Sequence, residues 1–130
     1  MPLGWFPEPL PATCFVLNSV YMLTDFTRDN GATLLLPFSH HSRRRPRRGA
    51  AYRGLVAAEA PRGSAVIFHG GIWHATGKNT TRDQPRLGVS VVYHHPCLDA
   101  AQCGWDKLDR NAYNRLPPEL QPRFAHKIKD

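Results

Sequence analysis

The sequence predicts an all-β protein, a sandwich or barrel of short strands, and three observations carry that prediction. Twelve prolines and ten glycines in 130 residues interrupt the chain too often for long helices. Five short apolar or alternating runs read as strands, most of them bounded by turn residues. Hydrophobic residues make up 42% of the chain, enough to build one core in a domain of this length.

The first run, Phe15 to Leu23, is β-branched, aromatic and apolar. Asn30-Gly31 comes next as a strong turn signal, and Ala32 to Leu36 reads as a second strand stopped by Pro37. Leu55 to Glu59 is the third strand, and Pro61-Arg62-Gly63 turns the chain into the fourth, Ala65 to Phe68. Arg86 to His94 is the fifth. Strand geometry puts its Leu87, Val89, Val91 and Tyr93 on one side and Arg86, Gly88, Ser90, Val92 and His94 on the other. A wholly apolar face opposite a small polar one suits a wall between a packed layer and a pocket. Pro117-Pro118-Glu119-Leu120 opens one short C-terminal helix.

The net charge is +7 and the isoelectric point is near 9.8, values that suit a nucleic-acid binder. The excess is local, however: Arg43, Arg44, Arg45, Arg47 and Arg48 flank Pro46 in one loop. Such a run reads as solvated, and no aromatic residue interleaves with it to stack on bases. No apolar run is long enough to span a bilayer, and the first residues lack the charged and apolar regions of a secretion signal. The expectation is a soluble, cytoplasmic protein that binds neither nucleic acid nor membrane. Three cysteines, Cys14, Cys97 and Cys103, make a disulfide framework improbable. Cys97 and Cys103 with His94 and His95 lack the Cys-x-x-Cys spacing of structural zinc sites.

The most informative stretch runs from Gly63 to Asn79 and on to Arg86. A buried apolar strand enters Gly70-Gly71, then Trp73-His74-Ala75-Thr76, then a polar turn, and Arg86 heads the next strand. Neutral imidazole is the commonest metal-ligand side chain, and a guanidinium binds a carboxylate through two parallel hydrogen bonds. A histidine in such a setting can equally be a core residue with its hydrogen bonds satisfied.

This stretch is similar to the distal half of the phytanoyl-CoA dioxygenase family, in which a strand leads into a metal-binding histidine and a 2-oxoglutarate-binding arginine. Upstream, Asp25-Phe26-Thr27-Arg28-Asp29-Asn30-Gly31-Ala32-Thr33 resembles the family's D-F-T-x-x-N-G-A-T turn. Pro37-Phe38-Ser39-His40 resembles its P-G-S-H block, in the same order and spacing. The core of the likeness covers residues 16–94. The tail, residues 97–130, contains Asn114-Arg115-Leu116-Pro117-Pro118-Glu119-Leu120, also typical of the family. The whole chain, 1–130, thus reads as a partial domain of this type. The resemblance implies a double-stranded β-helix, a jelly-roll of the cupin kind, represented without its first strands and with a short C-terminal helix.

Residue by residue, the resemblance implies that His74 is the distal iron ligand and that Arg86 salt-bridges the far carboxylate of 2-oxoglutarate. Thr76 falls where a hydroxyl bonds the same carboxylate, and in an extended strand it points the same way as His74. Asn18 and Val20 lie on the strand that floors the cosubstrate pocket. Asn79 shapes the turn Gly77-Lys78-Asn79. Phe38 stands where the family has glycine, which predicts a different local backbone before Ser39. His40, His41, His69, His94 and His95 match no ligand position and read as structural or exposed.

Iron enzymes of this kind hold Fe(II) with two histidines and a carboxylate, leaving positions open for 2-oxoglutarate and O₂. The first histidine and the carboxylate come as His-x-Asp or His-x-Glu, and no histidine of this chain has an acidic residue two positions later. Leu3-Gly4-Trp5-Phe6-Pro7 resembles the segment that the family carries directly after that motif, which places the motif just before Met1. The cofactors implied for the complete enzyme are Fe(II) and the cosubstrate 2-oxoglutarate, which together hydroxylate a C–H bond of a small organic substrate. Three readings are open: the C-terminal part of such a dioxygenase, inactive as this chain; a non-catalytic relative that binds a small ligand; and a basic module that binds nucleic acid or another anion through the arginine loop. The incomplete barrel should also expose sheet edges through which copies associate.

Overall fold

The structure, a computed structural model, describes residues 6–98 and 108–125. These belong to two units, Pro2–His95 and Pro96–Asp130. The first contains six strands: β1 (Val16–Met22), β2 (Thr33–Leu36), β3 (Val56–Ala57), β4 (Ala65–His69), β5 (Trp73–Thr76) and β6 (Gly88–His94). They form two antiparallel three-stranded sheets, ordered β4-β1-β6 and β3-β2-β5; consecutive strands lie in different sheets except β2 and β3, which pair with each other. The second unit contains two short helices, α1 (Arg110–Asn114) and α2 (Gln121–Phe124). Pro117 and its neighbours precede α2 as expected, whereas α1 was not legible; Asp109 caps it by accepting a hydrogen bond from the Ala112 amide.

Four of the five expected strands form close to their predicted limits, and the third shortens to Val56–Ala57. A sixth strand, β5, carries the candidate metal ligand. Its partner β2 makes it a strand, through the pairs Leu35–His74 and Leu36–Trp73.

Between the sheets lie Met22, Phe26, Ala32 and Ala57, fully buried, with Val20, Leu34, Ala60 and Val66 packed against them. Phe26 is the largest wholly buried side chain among the described residues, and its burial contributes roughly 1.5–3 kcal/mol. The turn that delivers it is closed by Asn30, whose side chain accepts from the Thr27 amide at 2.9 Å and donates to the Asp25 carbonyl at 2.8 Å. Beyond it the backbone passes so close to the end of β5 that a Cβ on Gly77 would lie 2.5 Å from the Ala32 carbonyl oxygen. That contact explains why this turn and the Thr76–Gly77 segment both use glycine.

One expectation is overturned. The apolar side of β6 was to face a packed layer, yet Leu87, Val89 and Tyr93 are about half exposed, and Leu17, Tyr21 and Ile67 extend the same surface across β1 and β4. The outer edges of β4 and β6 are also unpaired among the described residues. Exposed apolar patches and open edges are association surfaces. The isolated chain is therefore expected to sediment as a dimer or larger species at micromolar concentration. A monomer with a cooperative melt above about 65 °C would contradict this.

Phe38 corrects a second expectation. It adopts φ 62 and ψ 0, so the backbone is the left-handed one that glycine would take, entered here by a bulky residue. Its side chain is 75% exposed, so little packing offsets the strain. Phe38→Gly is expected to raise stability by about 0.5–1 kcal/mol, the left-handed penalty less the entropy of a freer unfolded chain. An unchanged or lower urea midpoint would refute it.

Candidate active site

The centre of the site is one face of the β4-β1-β6 sheet. Register places Asn18 of β1 between Phe68 of β4 and Val92 of β6, and Val20 between Val66 and Ser90. These residues share a face with Gly88 and, by alternation, with Arg86. The sequence had assigned Arg86, Gly88, Ser90 and Val92 to a pocket wall together.

His74 and Arg86 are both held against aromatic rings of this layer. The His74 ring meets Phe68 edge-on, with centroids 5.0 Å apart. The Arg86 guanidinium carbon lies 4.8 Å from the centroid of the Phe26 ring. Phe26 reaches that position because Gly88 leaves room: a Cβ there would stand 2.9 Å from Phe26 Cζ and 3.3 Å from Val20 Cγ1. A cation over an aromatic face gains roughly 0.5–2 kcal/mol and orients the guanidinium without neutralising it. Neither aromatic contact was legible beforehand, since the partners of each pair are distant or unpatterned in the chain.

The tautomer of His74 is set by one hydrogen bond. Its Nδ1 lies 2.8 Å from the Ile72 carbonyl oxygen, so Nδ1 carries the proton and donates. In the neutral ring Nε2 then keeps its lone pair, the state in which imidazole ligates a metal. Thr76 lies two residues on, on the same side of β5, opposite Thr33. Asn18 is half-buried at the centre of the sheet.

The chemistry of this donor set fits an iron centre in part. His74 offers one neutral nitrogen donor, and Arg86 offers a two-pronged cation for a carboxylate. Among the described residues no group of three His, Cys, Asp or Glu side chains converges as a metal site. Of the His94, His95, Cys97 and Cys103 cluster, Cys103 lies outside the described residues.

The surrounding loops position these groups. Asn79 acts on the loop that follows it rather than on the turn Gly77-Lys78-Asn79: its Oδ1 accepts from the Thr81 amide and hydroxyl at 2.9 and 2.6 Å, and its Nδ2 donates to the Gln84 carbonyl, closing the loop that leads to Arg86. Ser39 Oγ donates to the Leu36 carbonyl and accepts from the Trp73 amide at 2.8 Å, tying the turn after β2 to the start of β5. The arginine loop is exposed, but its backbone is bonded in place: Trp73 Nε1 donates to the Arg44 carbonyl, and the Arg47 amide to the Tyr52 hydroxyl. Folding thus brings Trp73 and Tyr52 beside arginines that have no aromatic neighbours in sequence.

His40, His41 and His69 form an unexpected cluster, with ring centroids 4.0 Å apart for His40–His41 and 4.9 Å for His40–His69. His69 is held below the usual histidine pKa, first by burial and then by the positive charge that His40 and His41 can carry. A histidine with a depressed folded pKa contributes stability that is complete above its unfolded value near 6.5 and lost as pH falls toward the folded value.

The arrangement is a mostly-β, two-sheet site that offers a histidine donor and an arginine. Its class is confirmed by comparison: the family model for phytanoyl-CoA dioxygenase (PhyH) matches residues 5–88, and the chain belongs to that family. It is 30% identical over 112 residues to Dioxygenase af480 of Aspergillus fumigatus, covering 85% of this chain and 36% of that protein. Dioxygenase trt7 of Aspergillus terreus is 36% identical over 111 residues, covering 81% of this chain and 36% of its own length. Among solved structures, the nickel complex of the non-heme monooxygenase ThoJ is similar, with 27% identity and a TM-score of 0.51 over 63% of this chain and 31% of that one. The chain therefore spans about a third of the length of these relatives. The family is generally dependent on Fe(II) and 2-oxoglutarate, and the names of the relatives support a dioxygenase-type function. Among the described residues no helix is long and apolar enough to cross a membrane.

Proposed function

We propose that this chain is the C-terminal portion of an Fe(II)- and 2-oxoglutarate-dependent dioxygenase that hydroxylates a small organic substrate. In this reading its two sheets are part of a double-stranded β-helix barrel. One observation carries it. His74, with its Nε2 lone pair unengaged by the Ile72 bond, and Arg86 are each braced by an aromatic ring on the same face of one sheet.

His74 would be one iron ligand, and the remaining two would come from residues outside these 130. Arg86 would pair with the far carboxylate of 2-oxoglutarate, assisted by the Thr76 hydroxyl, with Asn18 on the pocket floor. When bound, iron and 2-oxoglutarate supply the oxidising chemistry. The chain's own residues would orient the cosubstrate and hold the histidine in its ligating tautomer. The aromatic brace under each group limits its motion to the geometry the reaction needs.

The test is a longer polypeptide, extended through the coding sequence upstream of Met1. An in-frame His-x-Asp or His-x-Glu, with Fe(II)-dependent conversion of 2-oxoglutarate to succinate that His74→Ala abolishes, is the expected result. An extended protein that lacks the motif and binds small ligands without turnover would replace this reading with that of a non-catalytic relative.

A further inference from the structure

We propose that His69 is a positioning residue for His74: its neutral imidazole latches the turn between β4 and β5, and a proton added to it releases that turn. The inference rests on His74 being the ligand. The turn, residues 70–72, is held from one end and holds from the other. The Gly71 amide donates to His69 Nδ1 at 2.9 Å, and the Ile72 amide to the His69 carbonyl at 2.9 Å. The Ile72 carbonyl in turn accepts the Nδ1 proton of His74 at 2.8 Å. One histidine thus fixes the peptide units that set the tautomer of another.

The latch requires a lone pair on His69 Nδ1. In the neutral ring that puts the proton on Nε2, which is buried without a hydrogen-bond partner among the described residues, as is His40 Nδ1. Protonation at Nδ1 would set donor against donor at Gly71. The turn has little room to adjust, since a Cβ on Gly71 would lie 3.1 Å from His69 Nδ1 and 3.3 Å from His40 Cβ. The groups facing His69 oppose a second charge. His40 and His41 approach it from the turn Ser39–Ser42, and β1 places uncharged Leu17 in register with it. Burial and those two histidines keep the ring neutral until the medium is acidic, so the turn is latched at neutral pH and opens below it. The cluster is not a metal site of its own, because His69 Nδ1 is already engaged with Gly71.

The experiment tracks the full chain, metal-free and labelled with nitrogen-15, by nuclear magnetic resonance between neutral and acidic pH. At neutral pH His74 is expected as the Nδ1–H tautomer, with Gly71 protected from hydrogen exchange. As His69 titrates, the Gly71 protection factor should fall by at least about tenfold, as in a local opening. His69→Gln retains an acceptor and cannot titrate, so Gly71 should stay protected throughout. His69→Phe should leave Gly71 unprotected and His74 in mixed tautomers at every pH, with the β1–β4 amide signals intact as proof of folding. The proposal is overturned if wild type and His69→Gln show the same Gly71 profile, or if His69→Phe leaves the His74 tautomer unchanged. Because no metal or cosubstrate is present, failure here leaves the iron reading standing. Loss of the iron reading, seen as metal binding indifferent to His74→Ala, leaves this coupling standing.

Discussion

Arg86→Ala is expected to weaken 2-oxoglutarate binding by about 2–5 kcal/mol in the protein that carries the complete ligand set, the usual result of truncating one partner of a buried charge pair. The brace under Arg86 makes the effect specific. Its guanidinium lies over Phe26, which is wholly buried, so the cation is directed toward one place on the sheet face. Arg86→Lys should recover only part of the loss, because an ammonium lacks the planar fork and stacks less well on the ring. Phe26→Leu should move affinity in the same direction by less, about 0.5–2 kcal/mol, by removing the aromatic face while keeping most of the packing. Calorimetric titration with 2-oxoglutarate decides it. Equal affinity for wild type and Arg86→Ala would remove Arg86 from the site.

The second large effect concerns this chain by itself. Purified with added Fe(II) and ascorbate, the 130-residue chain is expected to release no succinate from 2-oxoglutarate above a His74→Ala control. A single neutral imidazole does not retain a labile divalent ion against water, and no group of three potential ligands converges among the described residues. Two acidic side chains are engaged in loop contacts: Asp25 accepts from the Arg62 amide and Glu59 from the Arg28 amide, each at 2.7 Å. Turnover that His74→Ala abolishes would show that these 130 residues hold a sufficient ligand set, and the proposal of ligands from outside the chain would have to be withdrawn.

Much of the fold was legible because hydrophobic patterning comes directly from backbone geometry. β1, β2, β4 and β6 announce themselves by β-branched or alternating residues, and the Asn30-Gly31 turn by the one residue type that enters φ +90 freely. β5 did not, because Trp73-His74-Ala75-Thr76 neither alternates in hydropathy nor forms an apolar run. Its extension is imposed by the ladder to β2. Phe38 misled for a related reason. A residue that avoids the left-handed region argues for another backbone, but the Ser39 hydroxyl, bonded to Leu36 and Trp73, holds that turn in place.

The candidate site divides along the same line. Residue chemistry and order, with the family resemblance, singled out His74 and Arg86 as candidates for one site, and alternation put Thr76 on the strand face of His74. Only the tertiary structure decided what holds them: Phe68 against His74, Phe26 beneath Arg86 from a distant part of the chain, and the His40–His41–His69 stack behind the turn. It also left Leu87, Val89 and Tyr93 on the apolar side of β6 about half exposed, where alternation alone had promised a packed layer. Periodicity states which side chains share a face; what that face meets depends on contacts between distant segments, which local pattern does not encode.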